Sequence, residues 1–193
     1  MIDLAMDFIG IGYQGKVSLM EYYNKHIYPL IDKNRKYKIQ PNDNWCAMFC
    51  SVIAHKEGVK NFPYEVSVFY MVEKAKKMGI FSRDISNAKV NDLIIYDWKN
   101  DGTLNHVGIL LLHGNNHFDV IEGNYRGTVG VRSIKVPNKE VYGVIHLNVP
   151  EKVDIDRLAR EVIQGKHGSG EQRIKALGEH YNEVQNRVNQ ILK

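Results

Sequence analysis

The spacing of apolar positions changes character near residue 90. Before it the repeat is helical. Residues 3–12 read as an amphipathic helix ending at Gly10 and Gly12, and residues 18–31 as a second apolar-periodic stretch broken by Pro29. Residues 67–78 predict a further helix that stops at Gly79. Between them, residues 47–54 are apolar on every side, the pattern of a buried helix, with Gly58 placed as its C-cap. Residues 33–38 are basic and read as a solvated loop. After residue 90 the runs are short and β-like: 93–96, 107–112, 118–121, 129–134 and 141–147, each bounded by turn-forming residues. Helices followed by an antiparallel sheet predict an α+β domain. Residues 150–154 form a short polar connection. From 155 to 193 the helical period returns, cut by Gly165, Gly168, Gly170 and Gly178. That predicts three short helices, a bundle too small for a large core of its own. The expected organisation is therefore a domain over 1–149, a linker over 150–154 and a three-helix module over 155–193.

Composition narrows the function classes. The 193 residues are 44% hydrophobic and 25% charged, as in a folded soluble protein. The net charge is only +4, with 18 basic and 15 acidic groups in residues 1–150 and 8 and 7 in the remainder. Neither part carries the dense basic stripe of a nucleic-acid binder. No apolar stretch approaches the roughly twenty residues of a membrane span. Acidic residues at the N-terminus stand where a secretory leader needs basic ones, so release by another route is expected. The only cysteines, Cys46 and Cys50, sit at i and i+4 of one predicted helix, too far apart for an easy disulfide. Cys50 reads as a small buried hydrophobe.

Cys46 carries the candidate chemistry. It follows Asn42, Asp43 and Asn44, all N-cap types, and so falls in the first turn of the buried helix. Free N–H groups and the positive dipole end there favour a thiolate. His106 opens one strand and Glu122 closes the next, which together make a Cys-His-acid layout of the papain-like kind. An odd hairpin loop would make paired residue numbers sum to about 230. His106 would then oppose Asn124, with Glu122 diagonal on the same face. An even loop, such as a two-residue turn at Asn115–Asn116, would send Glu122 to the opposite face. The chemistry therefore predicts a three- or five-residue turn. In this scheme Cys46 attacks an amide carbonyl and His106 carries the proton. Glu122 orients the imidazole, and Asn124 shares that role or meets substrate. The Cys46 N–H is a natural oxyanion donor, with Gln40 or Asn44 as the second. Trp98 either stacks on substrate or fills the core.

Metal readings fit less well. His113 and His117 have zinc-pair spacing, but they flank a turn and Gly114 stands where the general base of such a motif belongs. Residues 97–102 hint at a calcium loop, yet Lys99 takes a ligand position and an ordinary turn explains them better. No metal or cofactor is expected.

Trp-Cys-Ala-Met-Phe-Cys, Val-Asn-Asp-Leu-Ile-Ile-Tyr-Asp-Trp, Asn-His-Val-Gly-Ile and Ile-Glu-Gly-Asn resemble, in order, the signature segments of CHAP domains. These are cysteine, histidine-dependent amidohydrolases/peptidases of papain-like fold that act on bacterial peptidoglycan. The resemblance spans residues 1–149. It implies Cys46 as nucleophile, His106 as base and Glu122 as third member with Asn124 beside it. Trp45, Trp98, Gln40 and Asn44 are the substrate-side candidates. Some members carry an acidic calcium loop before the cysteine. Here that stretch is Ile-Gln-Pro-Asn-Asp-Asn, and the metal is not carried over. Residues 156–173 and 181–189 resemble the cell-wall-binding repeat at the C-terminus of certain phage lysozymes, a three-helix bundle that recognises muropeptide. They depart in having His167 where a tryptophan is usual. Arg173 and Tyr181 are the candidate ligand contacts, unless the bundle merely caps the first domain. A single repeat implies avidity from a homodimer or from the first domain for tight binding. Together the resemblances imply an endolysin, held in the host cytoplasm until a holin-type release, that works as an amidase or endopeptidase. The alternatives are a non-catalytic wall-binding protein on the same scaffold, a secreted antibacterial effector and a tail-associated lysin.

Overall fold

A computed structural model of the chain describes residues 1–149 and 154–193. It divides into two compact units, 1–149 and 150–193. Of the expected linker, only Asp154 lies within the described residues; it caps the helix that follows, its carboxylate accepting from the Arg157 N–H at 2.8 Å.

The first unit is α+β. Its helices are α1 (Ile2–Met6), α2 (Tyr13–Tyr22), α3 (Cys46–Lys56) and α4 (Val68–Lys77). The helix expected over 3–12 is therefore shorter. Residues 7–10 turn instead, and the Gly10 N–H leaves the helix to bond the Val129 carbonyl at 2.9 Å. The second helix begins earlier than its apolar repeat suggested. It continues as a π-helical turn (Tyr23–Ile27) and a 3-10 turn (Tyr28–Leu30) that accommodates Pro29. Within the basic loop, Lys33–Arg35 is a 3-10 turn.

The strands are β1 (Phe81–Ser82), β2 (Leu93–Tyr96), β3 (His106–His113), β4 (His117–Tyr125), β5 (Thr128–Lys135) and β6 (Val141–Ile145). They form one antiparallel sheet in the order β1-β6-β2-β3-β4-β5. β1 is too short to leave a pattern in sequence. Alternation along the strands serves two faces. Leu93, Ile95, Val107, Ile109, Ile121 and Ile145 join the core that contains α3. Ile94, Tyr96, Leu110, Phe118, Val120 and Val144 form a second cluster on the other face. Helix α3 is buried from Cys46 to Ala54 and lies against β3 and β4, the strands that carry His106 and Glu122. Glycine permits two close approaches, of α3 to β4 at Gly123 and of the Glu122 side chain to β3 at Gly108. A Cβ on Gly123 would lie 2.4 Å from Phe49 Cβ of α3, and one on Gly108 would lie 2.7 Å from Glu122 Cγ.

The hairpin differs from expectation in an informative way. Near its tip the pairs are His113↔Phe118 and Leu112↔Asp119, and the Gly114 N–H bonds the His117 carbonyl at 2.9 Å. That is the even, two-residue turn at Asn115–Asn116, not the odd turn the chemistry called for. A bulge between Leu110 and Leu112 then inserts one residue into β3. Beyond it the pairs are Leu110↔Val120 and Ile109↔Ile121, which restores the register that places His106 and Glu122 on one face.

The second unit holds α5 (Ile155–Ile163), α6 (Glu171–Leu177) and α7 (Tyr181–Ile191), with a 3-10 turn at Gly178–His180. Its small core is Ala159, Val162, Leu177, Val184 and Val188.

Candidate functional site

Cys46 is the first residue of α3, and its N–H has no acceptor within the helix. The Asn and Asp side chains before it do not cap the helix; Trp45 is the N-cap and contributes no side-chain bond. They shape the approach loop instead. Asp43 Oδ2 accepts from the Gln40 N–H at 2.7 Å and from the Tyr37 hydroxyl at 2.9 Å. Buried Lys16 on α2 donates to the carbonyls of Pro41 and Asp43, tying the loop to the helical layer. Asn44 Oδ1 accepts from Asn124 Nδ2 at 3.0 Å. Asn124 adopts φ of 62°, a left-handed conformation that asparagine tolerates well.

His106 pairs with Tyr96 across β2–β3 and is 8% exposed, while Glu122 is fully buried. His106 Nε2 lies 3.0 Å from Glu122 Oε2. The carboxylate sits off the line of the ring N–H, so this is a charge contact more than an aligned hydrogen bond. With Nε2 against Glu122, Nδ1 is the nitrogen left to face Cys46, whose thiol is close enough to act on the charge of the imidazole. Burial alone would pull the imidazole down. Its contacts with Cys46 and Glu122, and their negative charge, outweigh that and push it up to about 9. Burial likewise opposes the Glu122 carboxylate, yet His106 and Arg132 hold it below its ordinary range.

Arg132 is the residue that sequence reasoning missed. Its Nε lies 2.9 Å and 3.0 Å from the two Glu122 oxygens. Its guanidinium carbon stands 4.9 Å from the ring centres of both Trp98 and Tyr125. A signal existed in the β4–β5 register. Glu122 pairs with Gly130, so Arg132 is its diagonal neighbour on the same face, and Gly130 leaves room for the Tyr125 ring that flanks Arg132. Tyr96 completes the surround. Its buried hydroxyl lies near Glu122 without an aligned partner, and burial, then Glu122, pushes it far up.

The structure thus gathers Cys46, His106 and Glu122, with Asn124 beside Asn44 rather than on the imidazole. Trp98 stacks on Tyr96 at 4.4 Å and stands 5.8 Å from His106. Trp45 differs from expectation. It is 2% exposed, edge-on to Phe49 and close to Gly123, so it packs the junction of helix and sheet and has no open face for substrate. Gln40 is exposed, but its side-chain amide donates to the Lys38 carbonyl at 2.9 Å. Cys50 is fully buried, and burial raises its thiol well above the ordinary range, as suits a core residue. The residues of the two metal readings make local bonds. His113 Nδ1 is 2.8 Å from the Ala88 carbonyl, and Asp97 accepts from the N–H groups of Asp101 and Gly102. No metal-ligating cluster of His, Cys, Asp and Glu occurs among the described residues. No helix among them is long and apolar enough to cross a membrane.

In the second unit Arg173 is engaged internally, its Nε and Nη2 donating to the Gly168 carbonyl and its Nη1 to Gln185. Tyr181 starts α7 and packs on the small core. His167 Nε2 lies 2.9 Å from Glu161 Oε2.

Residues 156–192 match the CW_7 repeat. This cell-wall repeat covers α5 to α7 and supports association of that unit with the cell wall. No curated protein sequence matches the chain.

Proposed function

We propose that the chain is a peptidoglycan hydrolase in which residues 1–149 act as a papain-like CHAP domain and the CW_7 repeat holds it on the wall. The observation that carries this reading is a thiol at a helix start, an imidazole whose charge responds to it, and a buried carboxylate 3.0 Å from that imidazole. Cys46 attacks the amide carbonyl of the wall peptide as a thiolate. His106, charged by the proton it holds, passes that proton to the leaving amine. Water then enters with His106 as base, and the acyl-thioester is released as a carboxylic acid. Glu122 favours the imidazolium throughout, and Arg132 keeps Glu122 ionised and fixed. The N–H of Cys46 is aimed where the oxyanion forms. The bond cut is an amide at the muramoyl–alanine junction or within the cross-linked peptide, which makes the enzyme an amidase or an endopeptidase. The setting proposed is lysis of a bacterial host.

The test is digestion of purified peptidoglycan sacculi by wild type and by Cys46→Ala. Wild type should release new amino groups without new reducing ends, and mass spectrometry of the fragments then identifies the bond. Loss of the nucleophile should remove on the order of 10⁴-fold or more of the rate. Equal release by both proteins would end the cysteine mechanism. A second reading, a non-catalytic wall binder, draws on the repeat match alone. It predicts binding to sacculi with no release by either protein.

A further inference from the structure

A cavity of about 320 Å³ opens beside the nucleophile loop, and Arg35, Tyr37, Ile39, Asn44 and Val66 are among its walls. Its walls are the segments that enter and follow the helix of the site. One wall is the loop that runs into Cys46, and its Asn44 is bonded to Asn124 two residues after Glu122. The opposite wall is the segment after α3, tied back by the Ser51 hydroxyl, which donates to the Glu65 carbonyl at 2.9 Å. The cavity is therefore held in register with the thiol by bonds at both sides.

Its charges are unequally committed. The carboxylate of Asp43 on the cavity wall already accepts from Gln40 and Tyr37. Arg35 is not so engaged. No carboxylate lies within ion-pair distance of it among the described residues, and its shielded Nε has no hydrogen-bond partner. Its guanidinium carbon is 3.2 Å from the ring centre of Tyr70, so stacking fixes the plane while leaving the donor edge unspent. Exposed Lys33, Lys36 and Lys38 add positive potential at the same loop. A planar donor fork with no internal acceptor selects a carboxylate, which it can bind through two parallel bonds. A cavity of this size suits one or two amino-acid residues.

We propose that this cavity is a substrate subsite for an acidic residue of a peptide, whose free carboxylate is bound by Arg35. It rests on the proposed hydrolase reading for its connection to turnover, but binding tests it separately. The full chain carrying Cys46→Ala would be titrated calorimetrically with a muramyl stem peptide bearing a free glutamyl α-carboxylate, and with the same peptide amidated there. The acid should bind at least tenfold tighter than the amide. Adding Arg35→Gln should erase the preference, and Arg35→Lys should retain part of it, because charge survives without the fork. Equal affinity for the two peptides, no binding of either, or an undiminished preference in Arg35→Gln would overturn the proposal. A preference for the acid in a protein whose wild type releases nothing from sacculi would keep the subsite and remove the hydrolase. Release from sacculi without a preference would do the reverse.

Discussion

Replacing Arg132 by methionine isolates the residue behind the buried carboxylate. Glu122 is fully buried and has two cationic neighbours, His106 at 3.0 Å and Arg132 Nε at 2.9 Å. Removing one partner of a buried ion pair typically costs about 3–5 kcal/mol. Two features reduce that here. The Arg132 side chain is 31% exposed, so water screens the pair, and His106 remains to face the carboxylate. The expected loss is about 2 kcal/mol at pH 7, after that discount. Methionine retains much of the contact with Trp98 and Tyr125, so the loss reports mainly on charge and hydrogen bonding. The assay is urea unfolding followed by tryptophan fluorescence. Both tryptophans, Trp45 and Trp98, lie in the first unit, so the signal is blind to unfolding of the repeat. A loss of this size moves the midpoint by about 1 M urea. The pH dependence supplies the control. His106 and Arg132 depress Glu122 in the folded state, so its stabilising contribution is present above the ordinary carboxylate value of 4.5. It fades as pH falls through the lower folded value. The gap between wild type and Arg132→Met should therefore close in acid. A gap under about 0.5 kcal/mol at pH 7, the size of an ordinary surface substitution, would refute the reasoning. So would a gap that persists unchanged at pH 3.

Two further outcomes follow from the same geometry. Gly108→Ala would place its Cβ 2.6 Å from Val120 Cγ1 and 2.9 Å from the Ile121 carbonyl as well as against Glu122, a clash costing about 1–3 kcal/mol. Because Glu122 must yield, iodoacetamide should alkylate Cys46 more slowly in this variant at pH 7, and a wild-type rate with wild-type stability would contradict the proposed coupling. His106, raised from 6.5 to about 9 by the balance of burial and its two partners, contributes stability that is complete below pH 6.5 and lost as pH climbs through 9. Unfolding free energy should fall by on the order of 2–3 kcal/mol across that window in wild type and by much less in His106→Gln; parallel slopes in the two proteins would remove the charged imidazole from the account.

How much of this was legible in the sequence depended on whether a pattern was local. β2 could be read to the residue because four apolar positions, all buried, stand between turn residues. The start of α3 could be read because polar loop residues give way abruptly to a run buried on every side. The helices before it were read less well, since Gly10 leaves α1 to bond β5 and Pro29 bends the end of the second helix, both long-range or conformational choices. Arg132 was invisible while β4 and β5 were treated as separate runs, because its partner is set by their register rather than by spacing along the chain.

The hairpin shows what chemical reasoning can and cannot supply when pattern fails. Placing His106 and Glu122 on one face demanded odd parity between their strands, and the shortest way to obtain it was an odd turn. The chain uses Asn115–Asn116, a dipeptide suited to a tight turn, and recovers the parity four residues away with a bulge. The bulge falls within Leu110–Leu111–Leu112, where three identical residues erase the alternation by which a slip would be noticed. The requirement on the site was therefore readable, but the device that satisfies it was not. Turn and bulge are equivalent for parity and differ in where strain and twist fall. A bulge sharpens the local twist of β3 between its tip and the segment that bears His106. The same sheet must curve for β3 and β4 to meet the start of α3, where Gly123 admits Phe49 at a distance no other residue would allow. On this argument the bulge and Gly123 act together: one sets which face the carboxylate takes, and the other sets how closely β4 approaches the helix that bears the thiol.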